Sequence, residues 1–198
     1  MARPKRDSGE IDVRSKLQSS ALKFMQSKAI GSISVRELLE VVRCNRSTFY
    51  YHYRDMYELA DEAIDAILPI EVVRVVFSMF FGNEAGFISD KSTMVYFSAL
   101  ESNKDKLDSI SLLLNGPNAS LVQEKIRVWI YQEFKESFSI EGKEDPLGEQ
   151  LVLEVGISCI LGILAYRAKV GLDVPLEMFA HRLFPELPQA LSMCLRKD

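Results

Sequence analysis

The sequence predicts an all-α protein in two parts, a small basic head followed by a larger acidic body, with about nine helices in total. Three observations predict it. Apolar residues recur at three- and four-residue intervals along almost the whole chain, the spacing that builds one face of a helix. Turn signals are sparse and alternating runs are missing, which leaves a sandwich or barrel without its strands. Charge is unevenly divided: residues 1–60 carry 11 Lys/Arg against 7 Asp/Glu, whereas residues 61–198 carry 13 against 21. The formal net charge of −4 over 198 residues thus conceals a head of +4 on a body of −8. A chain 47% hydrophobic and of this length can bury a sizeable core.

Several classes are excluded by composition. The charged N-terminus, MARPKRDSGE, is followed by no apolar stretch of the kind a secretory signal needs. The most apolar windows, 66–81 and 151–166, are short of the roughly 20 apolar residues of a membrane span and contain charges. Cys44, Cys159 and Cys194 are odd in number and far apart, which fits a reducing cytoplasm and neither a disulfide framework nor a zinc site. A glycine-rich phosphate loop, a metal cluster and a paired acid/base constellation are all missing, so no cofactor is expected and an enzyme is disfavoured.

The elements follow in order. Residues 1–10 read as a disordered basic arm. Leu17, Ala21, Phe24 and Met25 mark a first amphipathic helix over about 12–29. Val35, Leu38, Leu39 and Val42 mark a short second helix, with Ser34 placed to cap it and Glu37 three residues on, a capping box. After a break at 43–45, Asn45 caps a segment of one and a half turns with Phe49 and Tyr53 on its inner face. Asp55 caps a longer helix carrying Met56, Leu59, Ala60, Ala63, Ile64 and Ile67, and Pro69 ends it. From 70 to 87 the pattern is apolar but irregular, with Gly82, Asn83 and Gly86 marking a loop. Helical spacing resumes at about 91–103 and 105–114, and NGPN at 115–118 is a turn. Val122, Ile126, Ile130, Phe134 and Phe138, each four apart, place one long helix over about 119–139. A polar break at 141–146 precedes another over 147–170, which Gly171 closes. Further short helices are expected near 174–184 and 188–196.

Two short helices joined by a tight break describe a helix-turn-helix, whose second helix lies in the DNA major groove. With Phe49 inward, a step of about 100° per residue puts Ser47 and Tyr51 on the opposite face. Arg46, Thr48, Tyr50 and His52 fall on the flanks. This surface holds hydroxyls, an imidazole and a guanidinium, and no carboxylate. Such groups donate to phosphate oxygens and base edges. A purely structural role for TFYYHY leaves Tyr50 and Tyr51 exposed without a purpose. His52 lacks the second ligand that a metal site needs, His181 being the only other histidine.

The run ISVRELLEVVRCNRSTFYYHYRDMYELADEAI (33–64) closely resembles the DNA-binding domain of the TetR family of transcriptional regulators. The resemblance extends over 11–67, and the stretches at 101–105 and 112–118 resemble a variant of that family's ligand domain. It implies a DNA-binding domain at 11–54 and an effector-binding and dimerisation domain at 55–198. It implies that Ser34 and Arg36 touch the DNA backbone, as would Asn45 with the free amides of the helix start. Arg46, Ser47 and Tyr51 would read bases, and Thr48, Tyr50 and His52 would anchor phosphates. Phe49, Tyr53, Leu38 and Leu39 would hold the unit together. Three departures stand out. Arg43 occupies the usual glycine of the turn, Met56 replaces a phosphate-binding lysine, and the glycine after the first helix is displaced to Gly31.

In the body, the helix at 147–170 is apolar on nearly every side, which predicts burial on every side. Leu151, Val155, Ser158, Cys159 and Gly162 are the expected face for a two-fold homodimer, together with the helix near 174–184. Met94, Tyr96, Phe97, Leu100, Trp129, Ile130, Phe134 and Tyr166 are the expected lining of a pocket, and the resemblance implies a small-molecule effector in it. The expectation is a regulator, a repressor of adjacent genes, released from a palindromic operator by its effector. The competing reading is a protein-interaction adaptor that no longer reads DNA, to which Arg43 and Met56 would point.

Overall fold

The computed structural model describes residues 7–81, 90–137, 146–176 and 178. The described residues form nine α-helices and no strand. A helix-turn-helix head leads into a larger helical body, the architecture the sequence predicts. The expected helices near 174–184 and 188–196 lie largely outside the described residues, as do Phe138, His181 and Cys194.

The head contains α1 (Asp7–Met25), a 3-10 turn (Ile30–Ser32), α2 (Val35–Val42), α3 (Arg46–His52) and α4 (Met56–Ala66). The first helix begins earlier than expected, so residues 7–10 are helical rather than an arm, and residues 1–6 lie outside the described residues. It also ends earlier, at Met25, and in the turn that follows the Ser27 and Lys28 amides both donate to the Phe24 carbonyl, at 3.1 and 2.9 Å. The inner faces meet in one core of Leu17, Ala21, Met25, Leu38, Phe49 and Leu59, all fully buried. The three predicted caps are formed. Ser34 caps α2 in a complete capping box, Asn45 caps α3, and the Asp55 carboxylate accepts from the Tyr57 and Glu58 amides at the start of α4.

The Glu37 carboxyl is held at about 2 by the Lys28 ammonium at 2.6 Å and then by Ser34, whose amide donates to it at 3.1 Å. A carboxyl below its ordinary 4.5 stabilises the fold above that value and loses the contribution as pH falls toward about 2. Glu37→Gln is therefore expected to flatten the acid limb of the melting temperature between these pH values. Thermal melts of both proteins across that range check it.

The body contains α5 (Ile70–Phe81), α6 (Asp90–Ser102), α7 (Lys104–Leu113), α8 (Ala119–Ser137) and α9 (Pro146–Val170). Where the pattern was irregular, α5 forms with the Pro69 carbonyl accepting from the Val72 and Val73 amides. The four-residue series on α8 is its inner face, with Val122, Ile126, Ile130 and Phe134 buried. Helix α9 packs chiefly on α7 and also on α8. It buries Leu153, Ile157, Leu161 and Leu164, while Leu147, Leu151 and Val155 stay exposed. One side of α9 thus packs within the chain, and the side expected to need a partner is exposed among the described residues. No helix among the described residues is long and apolar enough to cross a membrane.

Candidate nucleic-acid interface

The candidate surface is built on α3, a helix too short to persist without tertiary support. Support comes from both ends. Phe49 is fully buried and its ring meets Tyr53 at 6.0 Å and the edge of Tyr50 at 5.2 Å. The Tyr53 hydroxyl donates to the Glu62 carboxylate at 3.1 Å, and Arg14 donates to the same carboxylate at 2.6 Å. The Arg14 guanidinium holds the Glu62 carboxyl below the usual range. One ionised residue of α4 thus ties the end of α3 to α1.

At the other end, Asn45 accepts three hydrogen bonds on Oδ1. The donors are the Thr48 amide at 2.8 Å and the Thr48 and Ser47 hydroxyls at 2.7 Å each. An amide N–H must meet an acceptor, so the Asn45 orientation is fixed and its Nδ2 donors face outward. Arg46 lies over the Tyr50 ring at 5.5 Å and donates to its hydroxyl at 3.4 Å. The guanidinium is therefore held on its own helix before any ligand arrives.

The structure brings the predicted residues to one side of the head. Tyr51 is the most exposed of the α3 aromatics at 74%, and Asn45, Arg46, Ser47 and Tyr50 are also exposed. Thr48 and His52 are half-buried on the flanks, and His52 contacts the Tyr51 ring at 5.0 Å. Ser34 faces solvent, but its hydroxyl is engaged in capping α2. Arg36 is exposed and pairs with Glu40 at 2.9 Å. Met56 is buried, so the position that resembles a lysine contact serves the core. Two features were missed from sequence. A groove of about 660 Å³ runs between α2 and the start of α3, lined by Arg36, Arg43, Arg46 and Cys44 among others. Burial pushes the Cys44 thiol up, so it is protonated at neutral pH. Tyr57, at the start of α4, leans over Gly31 and is 58% exposed.

The body residues are placed unevenly. Tyr96, Leu100, Ile130 and Phe134 are buried, with Phe97 and Trp129 packed against them. Met94 and Tyr166 are 72% and 56% exposed, so these two do not line the interior of a single chain. Each faces away from its helix's packed side, which four-residue spacing alone did not resolve. Of the expected dimer face, Leu151, Val155, Ser158 and Gly162 are exposed and Cys159 is half-buried. Ser158 also accepts from Arg127 of α8 at 3.1 Å.

The chain is similar in fold to a TetR transcriptional regulator from Streptococcus agalactiae 2603V of known crystal structure. The match covers 94% of this chain and 97% of that one, at 16% identity and a TM-score of 0.51. No protein-family model matches the chain, and no curated protein is significantly similar to it.

Proposed function

We propose that this chain is a DNA-binding transcriptional regulator of the TetR type, acting as a homodimer in the cytoplasm. The observation that carries the reading is the α3 surface. Hydroxyl, amide and guanidinium groups stand outward on a capped helix whose opposite side is locked into the head. A fold likeness to a transcriptional regulator supports it. Under this reading Arg46, Ser47 and Tyr51 read bases, while Asn45, Tyr50, His52, Ser34 and Arg36 position the head on the phosphates. Thr48 joins the positioning set through its bond to Asn45. Residues 11–54 form the DNA-binding unit and 55–198 the effector and dimer unit.

The homodimer rests on α9. Leu147, Leu151 and Val155 leave an apolar strip open along a helix whose other face is core. Covering it with its two-fold mate presents two copies of α3, and a palindrome with half-sites about one DNA turn apart fits that arrangement. Repression of adjacent genes, with release by a small apolar effector bound among Tyr96, Phe97, Leu100 and Trp129, completes the reading.

Selection from a random DNA pool tests it. The expected product is a short palindrome, bound with an affinity that falls steeply with salt. Arg46→Ala and Tyr51→Ala are each expected to cost about 1–3 kcal/mol and to relax base preference at one position per half-site. A pool that yields no enriched sequence at low salt would instead support the adaptor reading.

A further inference from the structure

Arg43 is the only non-glycine residue with positive φ among the described residues, at φ 58° and ψ 43°. It ends α2 in the left-handed region, where a side chain is strained and glycine is not. Its amide closes the helix on the Leu39 carbonyl at 2.8 Å, a bond that glycine would make equally well. The turn therefore gains nothing from the side chain. Four other basic residues of the head are in ion pairs: Arg14 with Glu62, Lys28 with Glu37, Arg36 with Glu40, and Arg54 with Asp55, while Arg46 rests on Tyr50. No ion pair of Arg43 occurs among the described residues. Its side chain is exposed and lines the groove beside Arg36, Arg46 and Glu40, whose carboxylate Arg36 holds, at the entry to α3.

We infer that Arg43 is a further DNA contact, an unpaired cation that takes a phosphodiester oxygen next to the bases read from α3. The inference rests on the DNA-binding reading above. It assigns to this position the charge that Met56, buried in the core, does not supply from α4. Backbone strain retained at an exposed cation that the fold does not use is the expected mark of such a role.

The test uses the full chain, the duplex it selects, and three variants: Arg43→Gly, Arg43→Asn and Arg43→Lys. Glycine and asparagine both tolerate the left-handed region, so the Arg43→Gly melting temperature is expected to equal or exceed that of the parent. Binding by both uncharged variants is expected to weaken about tenfold, with the slope of log affinity against log salt lowered by about one. Base preference stays unchanged, and Arg43→Lys keeps most of the affinity and the slope. A loss of affinity in a protein at least as stable as its parent is not an unfolding effect. Parental affinity and slope in Arg43→Gly and Arg43→Asn would overturn the inference and leave the DNA reading standing. A parent chain that binds no duplex would overturn both.

Discussion

Replacing Arg167 with methionine is expected to lower stability by about 3 kcal/mol, with the far-UV signal of the helices retained at low temperature. Arg167 lies near the end of α9 and is 1% exposed. Its guanidinium pairs with Asp108 of α7, and it donates to the carbonyls of Val174 at 2.9 Å and Leu172 at 2.5 Å. These contacts fold the chain back after Gly171, whose φ of 126° makes the reversal. Methionine fills similar volume but satisfies none of the three acceptors. Stranding one member of a buried pair costs about 3–5 kcal/mol. The lower end applies because Asp108 is partly exposed and keeps Lys104 at 3.1 Å. Chemical denaturation of both proteins checks it, and a difference under about 1 kcal/mol would mean that water replaces the guanidinium.

The sequence was most legible where local chemistry decides the structure. Ser34, Asn45 and Asp55 cap helices because their side chains satisfy amides in the first turn, and no distant contact is needed to see this. The inner series on α8 was equally plain, since four-residue spacing over a long helix admits one face. Helix ends set by tertiary contact were not legible. Nothing in residues 26–29 stops α1. Its end is fixed by a turn some ninety residues away, with Asn118 taking the carbonyls of Met25 and Lys28.

The outward set on α3 follows from geometry once Phe49 is placed inside, and the structure places those residues on one side. Their hydrogen-bond states were hidden. Sequence spacing does not show that Ser47 and Thr48 both donate to Asn45, or that Arg46 rests on Tyr50. Arg43 drew notice only as a departure from glycine. Its exposure beside Arg36 and Arg46 needed the packed head. In the body, Met94 and Tyr166 misled because an apolar or amphipathic residue can also stand on the solvent side of a helix. The apolar α9 has one packed side and one exposed strip among the described residues, a division that all-round apolarity does not locate.

Asn118→Ala is expected to cost about 2–4 kcal/mol and to disturb the head although the substitution lies in the body. Asn118 is 5% exposed at the start of α8. Its Nδ2 donates to the Met25 and Lys28 carbonyls at 2.7 and 2.8 Å, and its Oδ1 accepts from the Ile30 amide at 2.8 Å. The Met25 carbonyl that α1 leaves unpaired at its end, and the Lys28 carbonyl of the turn after it, are thus satisfied by another part of the fold. Alanine removes all three bonds, and each buried group left unpaired costs about 1–3 kcal/mol, less where water re-enters beside half-buried Lys28. Asn118→Asp sharpens the test. It keeps an acceptor for Ile30 but turns an oxygen toward two carbonyls, so the introduced carboxyl has a raised pKa in the fold. Destabilisation should then be larger at pH 7 than at pH 4, because protonation restores a donor. The same turn leaves no room to relax, since a Cβ on Gly116 would lie 2.8 Å from the Gln26 carbonyl oxygen. Across the turn, Asn115 donates to the Ala165 carbonyl of α9 at 2.7 Å. Amide exchange in residues 26–33 is the direct readout, and it should accelerate in Asn118→Ala well before the body melts. Unchanged protection there would show that the head closes α1 without the body.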